Sequence, residues 1–150
     1  LNNFWNDLHS HALLNQLGLA GIRLIKVRTR SGKFLPGSSS GGADYPYTRY
    51  SERHAERRAR AGLPTHVVNL EFDDIAGMLQ SVDHVVAPDL NSVSIDIIEE
   101  EKKRIAGYHH ETGAGKSRVI RKWFDLSPEE QEEIAAIVEE AAKLAIANLK

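Results

Sequence analysis

Three clusters in the chain carry residue types that could do chemistry. The run Gly113-Ala114-Gly115-Lys116-Ser117 ends in the Gly-Lys-Ser order of phosphate-binding loops, where backbone amides and a lysine cradle phosphates. That pattern needs a glycine where this chain has His110 and a helix after Ser117, where Val119 to Leu126 reads as a strand, so the run is read as a glycine turn. His109-His110-Glu111 offers imidazole and carboxylate, good metal ligands and proton carriers. Neighbours on a helix point about 100° apart, however, and do not readily share one ion. His9 and His11 share this weakness, because residues two apart on a helix face nearly opposite ways. Nucleophilic catalysis has no support, since there is no G-x-S-x-G elbow and no cysteine. The acids Asp73-Asp74 and Glu99-Glu100-Glu101 fit helix caps and an acidic first turn. No catalytic residue, cofactor site or metal site is expected.

The third cluster is basic. Arg49, Arg53, Arg57, Arg58 and Arg60 lie close to Tyr45, Tyr47 and Tyr50 and could grip phosphates or an acidic protein surface. Glu52 and Glu56 interrupt the arginines. From Ser127 onward, six glutamates face two lysines, a net charge of −4, while Leu8 to Ala43 holds five cations and no acid. Opposite ends of opposite charge favour a protein interface over direct DNA contact, with Arg49, Arg53, Arg57, Arg58, Arg60, Glu129, Glu130, Glu132 and Glu133 as candidate contact residues.

The elements that must carry these residues follow from periodicity. Trp5, Leu8, Ala12, Leu13, Leu17, Ala20, Leu24 and Val27 predict a helix from about Asn3 to Thr29, ending at Ser31-Gly32, with a break or close contact at Gly18 and Gly21. Lys33 to Pro46, rich in glycine and serine, predicts a flexible loop or arm. Ser51 to Arg60 predicts a short basic helix ending at Gly62. His66 to Leu70 has strand character, and Asp73-Asp74 with Ile75, Met78, Leu79 and Val82 suggests a capped helical turn. Val82, His84 and Val86 alternate, as do Val93, Ile95 and Ile97, with a hairpin signal at Asp89-Leu90-Asn91. Glu99 to Glu111 predicts a helix, and Val119 to Leu126 a last strand carrying Trp123 and Phe124. Ser127-Pro128-Glu129-Glu130 is a helix start with capping serine, first-turn proline and returning glutamate, followed by the apolar stripe Ile134, Ile137, Val138, Ala141, Ala142, Leu144 and Ala145.

Length and composition set the frame. At 150 residues, 41% apolar and 27% charged, the chain suits one folded domain spanning 1-150 and is too apolar to be disordered throughout. Without cysteine, its stability rests on packing or oligomerisation. Apolar runs are too short for a membrane span, and Asn2, Asn3, Asn6, Asp7 and His9 do not make a secretion signal.

From Ser31 to about Glu133, the order of features resembles the phage virion-morphogenesis family, which includes tail-completion, tail-terminator and head-tail joining proteins. The resemblance is carried by Ser31-Gly32-Lys33 after the first helix, Tyr47-Thr48-Arg49-Tyr50-Ser51, and Val68-Asn69-Leu70 before Ala76-Gly77-Met78-Leu79-Gln80-Ser81-Val82. The His109-to-Gly113 turn and, above all, Arg121-Lys122-Trp123-Phe124-Asp125-Leu126-Ser127-Pro128-Glu129-Glu130 complete it. The chain departs from the family at Ala76-Gly77, where threonine-glycine is common, and at His110 to Gly113, where glutamine-phenylalanine-glycine is more usual. The resemblance implies an α+β fold, with a small, mostly antiparallel sheet packed by long N- and C-terminal helices, and a motif core of Met78, Leu79, Trp123, Phe124 and Leu126. It also implies a structural role without catalysis, as a homo-oligomeric ring, commonly a hexamer, at the head-tail joint or tail terminus. The expected partners are further copies of the chain, connector or adaptor and tail tube proteins, and genomic DNA passing through the channel without sequence recognition. Made in the host cytoplasm, such a protein would reside in the virion neck or tail end. The rival readings are a nucleic-acid-binding module using the arginine helix 49-60 and a small enzyme using Lys116 or His110.

Overall fold

The first helix is held at both ends by groups its own sequence supplies. In the computed structural model, which describes residues 10–38, 50, 52–65, 77–113 and 119–148, α1 runs over His11–Arg30. Ser10 opens it, its hydroxyl accepting the Leu13 N–H at 3.1 Å. At the far end Gly32 takes a φ of +74°, and Lys33 N–H returns to the Arg28 carbonyl at 3.2 Å while Gly32 N–H returns to Thr29 at 3.0 Å. This is a Schellman closure, which satisfies carbonyls that would otherwise be orphaned. The basic helix α2, Glu52–Arg60, closes the same way, with Gly62 at φ +73° and Leu63 N–H on the Arg58 carbonyl at 2.9 Å.

Strands β1 (Val82–Val86) and β2 (Val93–Ile97) form a two-stranded antiparallel hairpin. Its turn is tied by Leu90 N–H to the Ala87 carbonyl at 2.9 Å and Asn91 N–H to the Asp89 carboxylate at 3.2 Å. Helix α3, Glu100–Gly107, continues into a π-helical turn at Tyr108–Thr112, and α4 covers Pro128–Ala147. The fold is therefore α+β with long N- and C-terminal helices, as the periodicities predict.

The chain divides into two compact units, each assembled from separated segments. Unit 1 comprises Leu1–Leu24, Val82–Asp96 and Leu126–Lys150. Its buried apolar residues are Leu13, Leu14, Ile22, Val82 and Ala145. The two glycines of α1 serve it by close approach rather than by breaking the helix. A Cβ on Gly18 would stand 2.3 Å from Cδ2 of His84, and one on Gly21 would stand 2.6 Å from Cδ1 of Ile95, so the missing side chains let the hairpin pack against the helix.

Unit 2 comprises Ile25–Ser81 and Ile97–Asp125, with Ile25, Phe34, Leu35, Met78, Leu79, Ile97, Ala106 and Trp123 buried. Two expectations are corrected here. Val119 to Leu126 is not a strand: only Val119 and Ile120 form bridge pairs, and the following residues are irregular. The Trp123 and Phe124 amides go to a side chain instead of a neighbouring strand. The loop expected from Lys33 is anchored over Lys33 to Ser38. Phe34 and Leu35 are buried, Leu35 N–H bonds the Lys122 carbonyl at 2.7 Å, and Lys122 N–H bonds the Ser38 hydroxyl at 2.9 Å. Two apolar side chains inside a polar stretch suffice to dock it. The rest of the glycine-serine stretch, to Pro46, lies outside the described residues, as do the predicted strand at His66 to Leu70 and the acids Asp73-Asp74. Of the capped helical turn expected up to Val82, the described part, Met78 to Ser81, is a turn and not a helix, with Gln80 N–H on the Gly77 carbonyl at 2.7 Å, and Val82 begins β1.

Candidate functional site

Helix α2 divides its arginines between two jobs. Arg58 points inward: it is fully buried, donates from Nε to the Pro64 carbonyl at 2.9 Å and holds its guanidinium 4.7 Å from the centroid of the Tyr50 ring. The Tyr50 ring in turn lies 4.8 Å from that of His54. The buried cation is met by a carbonyl and a π face, contacts that hold the helix within unit 2. Arg53, Arg57 and Arg60 occupy the opposite, exposed side. At successive steps of about 100° they fall within about 60° of one another. With His54 and Glu56 they line an open hollow of 580 Å³. Inside it, Arg57 lies 3.4 Å from Nδ1 of His54, and Arg60 lies 3.9 Å from Glu56 with its side chain 83% exposed. Ion pairs this exposed are weak, so the face remains electrostatically positive and able to meet an anion.

Behind α2, unit 2 is cross-tied by polar groups that sequence alone leaves unassigned. Arg28 donates to the main-chain carbonyls of Trp123 and Asp125, the latter at 2.8 Å. His110, set by the π turn, accepts the N–H groups of both Trp123 and Phe124 on Nδ1 at 3.2 Å. Burial lowers its pKa, against the raising influence of Glu111 and Asp125. His109 is pushed down from 6.5 to about 4, chiefly by burial and then by the charges of Arg121 and His54. Its carbonyl accepts Arg121 N–H at 2.6 Å. These histidines shape the Trp123 segment. Among the described residues, no group of three His, Asp or Glu side chains is placed to hold a metal ion. Gly115, Lys116 and Ser117 lie outside the described residues.

The acidic residues divide in the same manner. The Ser127 hydroxyl accepts Glu130 N–H at 3.3 Å, and the Glu130 carboxylate accepts Ser127 N–H at 2.7 Å, a complete capping box. Glu130 is buried by this duty. Glu129, Glu132 and Glu133 are exposed, as are Glu139 and Glu140 further along α4. Hydrogen bonding from its own backbone N–H, and then from the Ser127 hydroxyl at 2.8 Å, keeps the Glu129 pKa below its ordinary value. Within unit 1, Ala20, Arg23 and Leu24 of α1 and Glu133, Ala136 and Ile137 of α4 line a cleft of 260 Å³.

Two expected contact residues are therefore corrected. Arg58 and Glu130 are spent inside the protein, one under Tyr50 and one on a helix cap, and neither presents its charge to a partner. Arg49 lies outside the described residues. Of the motif residues, Met78, Leu79 and Trp123 are buried, whereas Phe124 and Leu126 are half-buried. Glu139 and Glu140 are not among the expected contact residues, although their seven-residue offset from Glu132 and Glu133 puts all four on a shared helical face. Arg28 carried no local signal, because its partners lie 95 and 97 positions away. Compared with known proteins, the chain matches no family model, no curated protein and no solved structure.

Proposed function

We propose that this chain is a structural assembly protein of a tailed phage virion, forming a homo-oligomeric ring at the head-tail joint or the tail terminus. The observation that carries the reading is the run Arg121 to Glu130, where the resemblance to virion-morphogenesis proteins is densest. Four residues of that run have distinct physical tasks here: Trp123 is buried in unit 2, Ser127 and Glu130 cap α4, and Glu129 begins its exposed acidic side. The surfaces of α2 and α4 add support, since a ring needs two different, complementary patches on each subunit. In this role no bond is made or broken. Subunits close around a channel through which DNA passes without being read, and the ring stacks on connector or adaptor and tail tube proteins. The subunit number expected from the resemblance is six.

Light scattering and native mass spectrometry of the purified chain test this reading. A discrete ring-sized oligomer, seen also as an annulus by negative-stain microscopy, is the expected result. A protein that stays monomeric alone and beside connector and tail tube proteins overturns it.

One observation favours a second reading, nucleic-acid binding by α2: Arg53, Arg57 and Arg60 share an open hollow with His54. A DNA-binding module would show affinity falling about tenfold or more over a modest rise in salt, as several phosphate contacts require.

A further inference from the structure

The exposed charges of α2 and α4 have matching spacing. Arg53 and Arg60 are seven residues apart, with Arg57 on the same face, and all three are exposed. On α4, Glu132 and Glu139 are seven apart, Glu133 and Glu140 are seven apart, and Ala136 sits between the pairs; all five are exposed. Seven residues advance a helix by about 10.5 Å and bring it back to within about 20° of the same direction. One helix therefore offers two cations about 10.5 Å apart, and the other offers two pairs of acids at that same separation. The small Ala136 leaves room between them for the aliphatic stem of Arg57.

We infer that the arginine face of α2 docks on the Glu132/Glu133–Glu139/Glu140 face of α4 in a second copy of this chain, Arg53 and Arg60 meeting the two acidic pairs and Arg57 crossing Ala136. The inference rests on the ring reading and names the contact that propagates it. Charge complementarity selects the occupant. The contact is heterologous, one subunit's α2 against the next subunit's α4, the geometry from which rings close. Exposed ion pairs are individually weak and are screened over about 10 Å at 0.1 M salt, so the contact steers and registers subunits and loosens as salt rises.

The test uses the full chain and two reversed variants. The first carries Arg53→Glu and Arg60→Glu; the second carries Glu132→Lys, Glu133→Lys, Glu139→Lys and Glu140→Lys, which reverses both acidic pairs and leaves α2 untouched, keeping the test open if the short helix fails to fold in the first. Sedimentation velocity and native mass spectrometry report assembly, with circular dichroism as the check on folding. Each variant alone is expected to self-associate at least about tenfold more weakly than the unaltered protein. An equimolar mixture is expected to regain assembly, because every α2–α4 junction in an alternating ring is then opposite in charge.

Assembly indifferent to both reversals overturns the inference and leaves the ring reading standing. So does weakening that the mixture fails to restore. If the Arg53/Arg60 reversal removes DNA retention and leaves assembly intact, nucleic acid is the occupant of α2. An unaltered protein that remains monomeric at every concentration, alone and beside connector and tail tube proteins, overturns both the inference and the ring.

Discussion

The imidazole of His110 accepts the main-chain N–H of Trp123 on Nδ1 at 3.2 Å, and it accepts that of Phe124 at the same distance. A ring nitrogen that accepts carries no proton, so this link exists only for neutral His110 with its proton on Nε2. The irregular segment leading to α4 thus depends on the protonation state of a side chain.

Acid should therefore loosen the protein. Burial lowers the pKa of His110, and it is first among the causes that bring His109 from 6.5 to about 4. The folded state holds both rings neutral while the unfolded chain binds protons more readily. Stability is complete above pH 6.5 and declines as pH falls toward 4, by up to about 1.4 kcal/mol per pH unit for a fully shifted histidine. Urea midpoints at pH 7 and pH 5 measure the slope. His109→Gln should flatten part of it, and an identical slope in that variant would remove His109 from the account.

Trp123 should tolerate the loss of its nitrogen better than the loss of its volume. It is fully buried, its ring 5.2 Å from that of Phe124, and its indole N–H has no hydrogen-bond partner among the described residues. Trp123→Ala should cost about 3–5 kcal/mol, the usual penalty for emptying a large core site, and Trp123→Phe about 1–2 kcal/mol. Thermal denaturation of both variants decides the ranking; equal losses would mean that the indole nitrogen matters more than the packing.

The glycines of α1 should respond differently to alanine. At Gly18 a new Cβ meets Cδ2, Cγ and Cβ of His84 at 2.3, 2.5 and 2.9 Å, against a ring tied to Asn15 at 2.6 Å. Gly18→Ala should destabilise by about 1–3 kcal/mol, outweighing the gain of about 1 kcal/mol in helix propensity. At Gly21 the one close atom is the terminal methyl of Ile95, which can rotate, so Gly21→Ala should be close to neutral. Chemical denaturation of the pair checks the contrast.

The capping box predicts a coupled pair. Ser127→Ala should cost about 1 kcal/mol, and Glu130→Ala a similar amount, because each removes a side-chain partner of a backbone N–H at the start of α4. The double variant should lose less than the sum, since the two bonds support one helix start. Strict additivity in denaturation would show the two bonds to be independent.

Much of the fold was legible before any coordinates. Helices α1, α2 and α4, the hairpin and the start of α4 at Ser127 follow from signals that act over a few residues: a three-and-four apolar spacing, alternation, a serine cap, and glycine just past a helix end. Those interactions close within one turn, so the order of residue types is enough to specify them. The exposed charges at Arg53, Arg57, Arg60, Glu132 and Glu133 were legible for the same reason, as the polar sides of amphipathic helices.

What the residue order left open is which members of each charged set face inward. Arg57 and Arg58 are adjacent and chemically identical, yet Arg58 is buried against Tyr50 and the Pro64 carbonyl while Arg57 is exposed. Glu129 and Glu130 divide in the same way. The Trp123 segment reads as a strand by composition, but its amides are taken by His110 and its carbonyl by Arg28, groups 13 and 95 positions away. A local pattern says that a backbone or a charge must be satisfied; only the packed tertiary structure decides by what, because the partner is brought near by folding rather than by sequence neighbourhood.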